Sequence, residues 1–93
     1  MNEFQLLELL KLKLGITTKL RDKPLEKIIS SVITELTDNL GVKLVGDRAD
    51  HEMFIVDYAA YRYEGGVDMP RHLQWRLHNL QLSSKKEVKN VEQ

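Results

Sequence analysis

The chain has no cysteine, which excludes disulfides and thiolate metal sites and suits a reducing compartment. It carries no net charge, with fourteen basic and fourteen acidic residues. A protein whose main work is coating nucleic acid is usually clearly basic, so that class is disfavoured. No stretch approaches the ~18 continuous apolar residues of a membrane span. The leucine-rich start is interrupted by Glu3, Glu8, Lys11 and Lys13, whereas a secretory signal keeps its apolar centre uncharged. These absences lead us to expect an intracellular, soluble chain. Repeats are missing too, and 93 residues make a single domain. Its expected radius of gyration is roughly 12 Å, too small to enclose a large ligand cavity.

What is present is grease concentrated in the middle. In His51–Glu64, the residues Met53, Phe54, Ile55, Val56, Tyr58, Ala59, Ala60, Tyr61 and Tyr63 crowd together. At about 100° per residue they run almost round a helix, which must then be covered on several sides. Asp50, Asp57 and Glu64 recur every seven residues and form one narrow acidic stripe, within about 40° on the helix surface. A small domain has little other chain with which to wrap such a helix. Further copies of the protein are therefore expected to help cover it.

Three more helices frame this one. Phe4–Leu14 reads as the first, closed by Gly15, with Phe4, Leu6, Leu7, Leu10 and Leu14 inward and Leu9 and Leu12 on the other side. The outward pair is either surplus packing surface or a contact to a neighbouring subunit. Asp22 is placed as an N-cap, with Pro24 in the first turn. Leu25, Ile28, Ile29, Val32, Ile33, Leu36 and Leu40 then share one face up to Gly41. Val42–Gly46 is too short for more than a turn or an extended segment. Asp47 and Asp50 look like an acidic capping box for the central helix, and Gly65-Gly66 stops it. Asp68-Met69-Pro70 repeats the spacing of Asp22-Lys23-Pro24 and starts a fourth helix. Its inward stripe is Met69, Leu73, Leu77 and Leu80, with Trp75 and Leu82 on the opposite face. From Ser83 the chain is too polar to fold alone. The expectation is an all-α bundle of about four helices over residues 1–82, followed by a short polar, flexible tail over 83–93.

No catalytic constellation emerges, and no enzyme is expected. Asp57, set in an apolar run, is either a carboxylate with a raised pKa acting as a base, or a partner in an ion pair with Arg76 or Arg71. The second reading is favoured, because plain ion-pair networks also hold such groups. His72 and His78 are six apart and diverge by about 120° on a helix, so they do not chelate one ion together. Asp68 with His72 supplies two ligands, which is no site, and neither metal nor cofactor is expected. Lys11, Lys13, Lys19, Arg21, Lys23 and Lys27 outnumber Asp22 and Glu26 in the first third. They form either a phosphate-contacting patch or a solvated face, and the solvated face is favoured.

The run from Asp57 to Leu80 carries Tyr61-Arg62-Tyr63-Glu64, then Asp68-Met69-Pro70-Arg71, then Leu73-Gln74-Trp75-Arg76-Leu77-His78-Asn79-Leu80. With the opening Leu6–Ile16, it resembles the head–tail connector (adaptor, or head-completion) proteins of tailed double-stranded-DNA bacteriophages and prophages. The likeness spans Phe4 to Leu82. It implies an all-α subunit that assembles, in the virion, into a homo-oligomeric ring beneath the portal protein. The ring extends the DNA channel, is made in the bacterial host cytoplasm, and presents a surface to a tail-side completion protein. DNA passes through without sequence-specific binding, and no membrane is involved. Isolated protein is then either monomeric until a portal templates it or already assembled.

On that reading the subunit or portal contacts fall on Leu9, Leu12, Tyr61, Arg62, Tyr63, Arg71, Trp75, Arg76 and Leu82. The stripe of Asp50, Asp57 and Glu64 faces a neighbour's basic residues or lines the channel, where like charge keeps phosphate from sticking. The alternatives are a small helical DNA-binding or regulatory module and a plain helical homodimer.

Overall fold

The structure is a computed structural model that describes residues 2–46 and 48–92, with side chains described as far as Ser84. Four α-helices follow one another: α1 (Glu3–Leu14), α2 (Asp22–Thr34), α3 (Ala49–Tyr63) and α4 (Arg71–Glu92). A π-helical turn, Glu35–Asn39, continues directly from α2. No strand forms among the described residues, so the fold is all-α as the patterns indicate.

Helix α1 begins where the Asn2 side chain accepts the backbone N–H groups of Phe4 and Gln5, at 2.9 and 3.3 Å. It ends in a Schellman motif: Ile16 N–H donates to Lys11 O, Gly15 N–H donates to Leu12 O, and Gly15 takes φ 72°. Helix α3 closes in the same way through Gly66 to Tyr61 and Gly65 to Arg62. Leu6, Leu7 and Leu10 are buried as the pattern requires. Phe4 is not: it is 68% exposed, because the first turn of α1 projects beyond the core.

Asp22 does not cap α2, and Asp50, the second member of the expected capping box, is engaged elsewhere. Arg21, not Asp22, occupies the N-cap position of α2, and Asp22 instead holds the Lys11 ammonium at 2.7 Å. Arg48 occupies that position of α3, while Asp50 accepts its guanidinium at 2.8 and 3.0 Å. Each carboxylate thus makes a charge-assisted contact to a side-chain cation, of the same strong class as a helix cap. Asp47, the other half of the expected capping box, lies outside the described residues.

Helix α2 was expected to run unbroken to Leu40. Its α-helical bonding stops at Thr34, and the chain widens into the π turn, where Thr37 Oγ1 donates to Ile33 O at 3.0 Å. Leu36 stays fully buried and Leu40 partly so, which means the apolar pattern is satisfied by either winding.

The central helix is covered within one chain. Phe54, Ile55, Val56, Tyr58, Ala59 and Ala60 are all buried, and of the apolar run only Met53 is substantially exposed. Helices α1, α2 and α4 all pack on α3. Val42 adds a buried side chain from the segment preceding it. The expectation that α3 needs neighbouring copies for shelter is thereby overturned. Its alanines are small enough for the other helices to approach closely, and the extended segment supplies the remaining wall.

That segment, residues 41–46, has no strand partner, and side chains serve its backbone instead. Lys43 N–H donates to Ser84 Oγ at 2.9 Å, and Val45 N–H donates to His51 Nδ1 at 3.0 Å. Gln81 Nε2 donates to Leu40 O at 2.8 Å. Leu73 and Leu80 of α4 are buried and Met69 and Leu77 partly so, as the inward stripe demands. Helix α4 passes the boundary expected at Ser83 without a break, and Ser84 is itself buried. The rest of the expected tail falls on residues 85–93, whose side chains lie outside the described set. The Cα radius of gyration is 13.8 Å.

Candidate functional site

The outward face of α4 holds the largest exposed aromatic side chain. Trp75 is 67% exposed and forms, with Arg71, His72 and Arg76, a shallow hollow along the helix. Positions i, i+1, i+4 and i+5 of a helix lie side by side, so these four residues make one continuous patch. Arg71 and His72 are exposed. Leu82 is 43% exposed two turns further on, roughly 10 Å along the axis. It borders a separate groove of about 360 Å³ with Leu40, Gly41, His78 and Gln81. Trp75 and Leu82 thus face outward, as their seven-residue spacing against the inward stripe implies.

Other residues expected at a contact are engaged inside the chain. Arg76 Nη1 donates to Asp57 Oδ2 at 2.6 Å, and its guanidinium lies 5.5 Å from the centre of the Phe54 ring. Lys13 reaches the other oxygen of Asp57 at 3.2 Å. Partial burial pushes the Asp57 carboxyl up, but the hydrogen bonds and positive charge of Arg76 and Lys13 outweigh it and hold the group below the usual carboxylate range. Asp57 is an ion-pair partner, and at neutral pH it is a charged acceptor engaged by two cations.

Arg62 sits 3.6 Å from Glu35, donates to Ser31 Oγ at 3.2 Å, and covers the Tyr58 ring. Tyr61 and Tyr63 are half-buried against the core. The Tyr63 hydroxyl accepts a hydrogen bond from Arg21 Nη1. Tyr61, Arg62, Tyr63 and Arg76 therefore knit α3 to its neighbouring elements. Of the outward pair on α1, Leu9 is half-buried against the core, and only Leu12 stands free at 78% exposure. The acidic stripe does not act as a row: Asp50 is paired with Arg48 and Asp57 with two cations, while Glu64 is exposed.

The basic run is similarly divided. Lys11 is buried against Asp22, Lys13 pairs with Asp57, and Arg21 stacks 5.9 Å from the Tyr63 ring. Only Lys19, Lys23 and Lys27 remain as exposed members without such a contact. His51 is buried and accepts from Val45, while His72 and His78 are exposed. Among the described residues no three His, Cys, Asp or Glu side chains converge as metal ligands.

The sequence reading missed one surface. Where α1 meets α2, Glu3, Phe4, Leu7, Glu26 and Ser30 line a groove of about 340 Å³. Ser30 Oγ donates to Glu3 Oε1 across it at 2.9 Å. The helical pattern places Phe4 on the inward face, whereas its exposed ring forms one wall of this groove. Among the described residues no helix is long and apolar enough to cross a membrane. Comparison of the chain with protein-family models, with curated proteins and with solved structures gives no match in any of the three.

Proposed function

We propose that the protein is a structural subunit of a phage or prophage head–tail connector, forming a ring that docks under the portal and extends the DNA channel. The observation that carries this reading is the exposure of Trp75, its indole held out beside Arg71 and His72 on a helix whose other face is firmly packed. An aromatic flanked by arginine is the composition of an interface anchor. The sequence likeness from Asp57 to Leu80, which contains this patch, supports the same reading. In it Trp75, Arg71, Leu82 and Leu12 form the contacts with neighbours or portal, and Tyr61, Arg62, Tyr63 and Arg76 shape the subunit from within.

The DNA-binding alternative is weakened because Lys11, Lys13 and Arg21 have partners inside the chain. Three remaining lysines give a shallow salt slope at most. The test is electron microscopy of the protein mixed with its cognate portal. Rings seated on the portal are expected, and Trp75→Ala is expected to reduce their occupancy. Saturable duplex binding that weakens steeply with salt, with no portal association, would replace this reading with the DNA-binding one.

A further inference from the structure

We infer that the Trp75 patch of one copy docks into the α1–α2 groove of a second copy of the same chain. The inference rests on the ring-subunit reading and names the surface that receives the contact. Two exposed aromatic features stand on different elements. One is the indole of Trp75 on α4, bounded by Arg71, His72 and Arg76. The other is the groove lined by Glu3, Phe4, Leu7, Glu26 and Ser30.

Their charges are opposite. Arg71 and His72 line the first surface beside Arg76, whose charge Asp57 already meets, while Glu3 and Glu26 line the second, where no basic side chain is found among the described residues. The Lys23 and Lys27 ammonium groups belong to α2 but do not line the groove. Its opening of about 340 Å³ admits an indole, which would meet Leu7 and the face of Phe4, leaving Arg71 beside Glu26 and Glu3. Phe4 is 68% exposed and Trp75 67%, so each copy offers one uncovered aromatic on each side of the contact. Aromatic pairs of this kind prefer an offset or edge-to-face arrangement.

The geometry sets the form of assembly. Among helix pairs, α4 packs on α3 and not on α1 or α2, so the knob and the groove lie on different parts of the surface. A contact between two different surfaces is heterologous. It repeats from copy to copy, and it closes into a ring or runs on as a filament. Two aromatic side chains supply only about 300–500 Å² of buried surface, well short of the ~800 Å² per partner of a stable pair. A single contact is therefore weak, and assembly depends on concentration and on closure of the series.

Trp75 is the chain's sole tryptophan, so its fluorescence reports the contact directly. Raising the protein from micromolar to millimolar concentration is expected to shift the emission to the blue, with sedimentation showing species beyond two copies. Added salt should reverse both. Phe4→Ala and Glu26→Arg, at exposed positions that leave the thermal melt unchanged, are each expected to abolish the shift. Mixing Glu26→Arg with Arg71→Glu should restore association that neither variant shows alone. Emission that stays constant with concentration, association that stops at two copies, or association indifferent to Phe4→Ala would overturn the inference. A portal arm separates this from the parent reading. Rings that form on the portal with Phe4→Ala sink the groove contact and leave the connector reading standing. Self-association through Trp75 with no portal binding does the reverse.

Discussion

Arg76 Nη1 lies 2.6 Å from Asp57 Oδ2, while Lys13 approaches the other carboxylate oxygen at 3.2 Å. Three helices thus converge on one side chain: α3 supplies the anion, and α4 and α1 each supply a cation. The Asp57 side chain is 21% exposed, so the pairs are shielded enough to matter more than surface ion pairs ordinarily do. This junction is one polar tie of α4 to the rest of the bundle, beside those of Gln81 and Ser84. It is also why Arg76, though it borders the Trp75 patch, faces inward in its chemistry.

The Asp57 junction gives the fold a defined acid sensitivity. The folded carboxyl is held below its ordinary 3.8, so the folded state binds its proton less readily than the unfolded chain does. Its stabilisation is full above the ordinary value and drains away as pH falls through the folded one. Asp57→Asn is expected to cost about 1–2 kcal/mol at pH 7, because the half-buried Arg76 loses its partner while the exposed Lys13 adds little. Melting curves from pH 6 downward check this. The variant should lose the wild-type drop below about pH 4 that belongs to this group. Coincident curves for both proteins would show that the junction contributes nothing, and parallel offset ones that it adds no acid sensitivity.

Tyr58 provides a tie of another sort. Its hydroxyl donates to Glu35 Oε2 at 2.8 Å, joining α3 to the π turn. Burial, with the hydrogen bond to Glu35 and that group's charge added, pushes the phenol from 10.0 up to about 12. Here the folded value is raised, so the contribution is full below pH 10 and is lost as pH climbs toward 12. In an ultraviolet titration, Tyr58→Phe should remove the component that ionises at about 12. The same variant is expected to cost about 1 kcal/mol at neutral pH. Loss of an early-ionising component instead would place the Tyr58 hydroxyl in solvent.

Much of the bundle is legible in the sequence, because period and punctuation agree there. Leu25, Ile29, Val32 and Leu36 repeat at helical spacing, and Gly15 and Gly65 fall where a left-handed residue must end a helix. Asp57 was readable as an ion-pair partner since Arg76 sits on the next helix. The failures share a cause: they depend on competition between partners that spacing does not rank. Asp22 and Asp50 have cap-like positions but are drawn to Lys11 and Arg48. The π turn is silent in the pattern because Leu36 is buried under either winding. Counting oily residues on α3 overstated its need for cover, since Ala59 and Ala60 take little room and Val42 comes from a segment with no periodicity. Trp75 is readable as outward, but the α1–α2 groove is not, because the helical pattern places Phe4 on the inward face.

Gly66 tests how tightly the turn after α3 is built. A Cβ placed there would collide with ring atoms of Tyr61, which is half-buried against the core. The ring cannot simply swing away without giving up that packing. Gly66→Ala is expected to destabilise the protein by on the order of 1–3 kcal/mol, as overpacking does elsewhere. In a Tyr61→Ala background the same substitution should cost far less, and the coupling between the two is the measurement. Additive costs would mean that the glycine serves some other purpose. Gly65→Ala offers a contrast, because open space surrounds its Cβ position but φ is 94°. Its cost of about 1 kcal/mol comes from backbone conformation alone and should not depend on Tyr61.

Phe54 and Trp75 are aromatic side chains of opposite burial. Phe54 has no exposed surface; its ring packs 6.0 Å from that of Tyr58 and lies beneath the Arg76 guanidinium. Phe54→Ala is expected to cost about 3–5 kcal/mol, a large share of the total for a domain of this size. Trp75 is the larger side chain, yet Trp75→Ala should change the stability of dilute protein by no more than about 0.5 kcal/mol, since its indole stands in solvent. Denaturant titration at micromolar concentration checks both. The comparison discriminates because a tryptophan that held the monomer together would show a loss near that of Phe54. A small loss there, combined with impaired ring formation on the portal, assigns the indole to contacts between molecules.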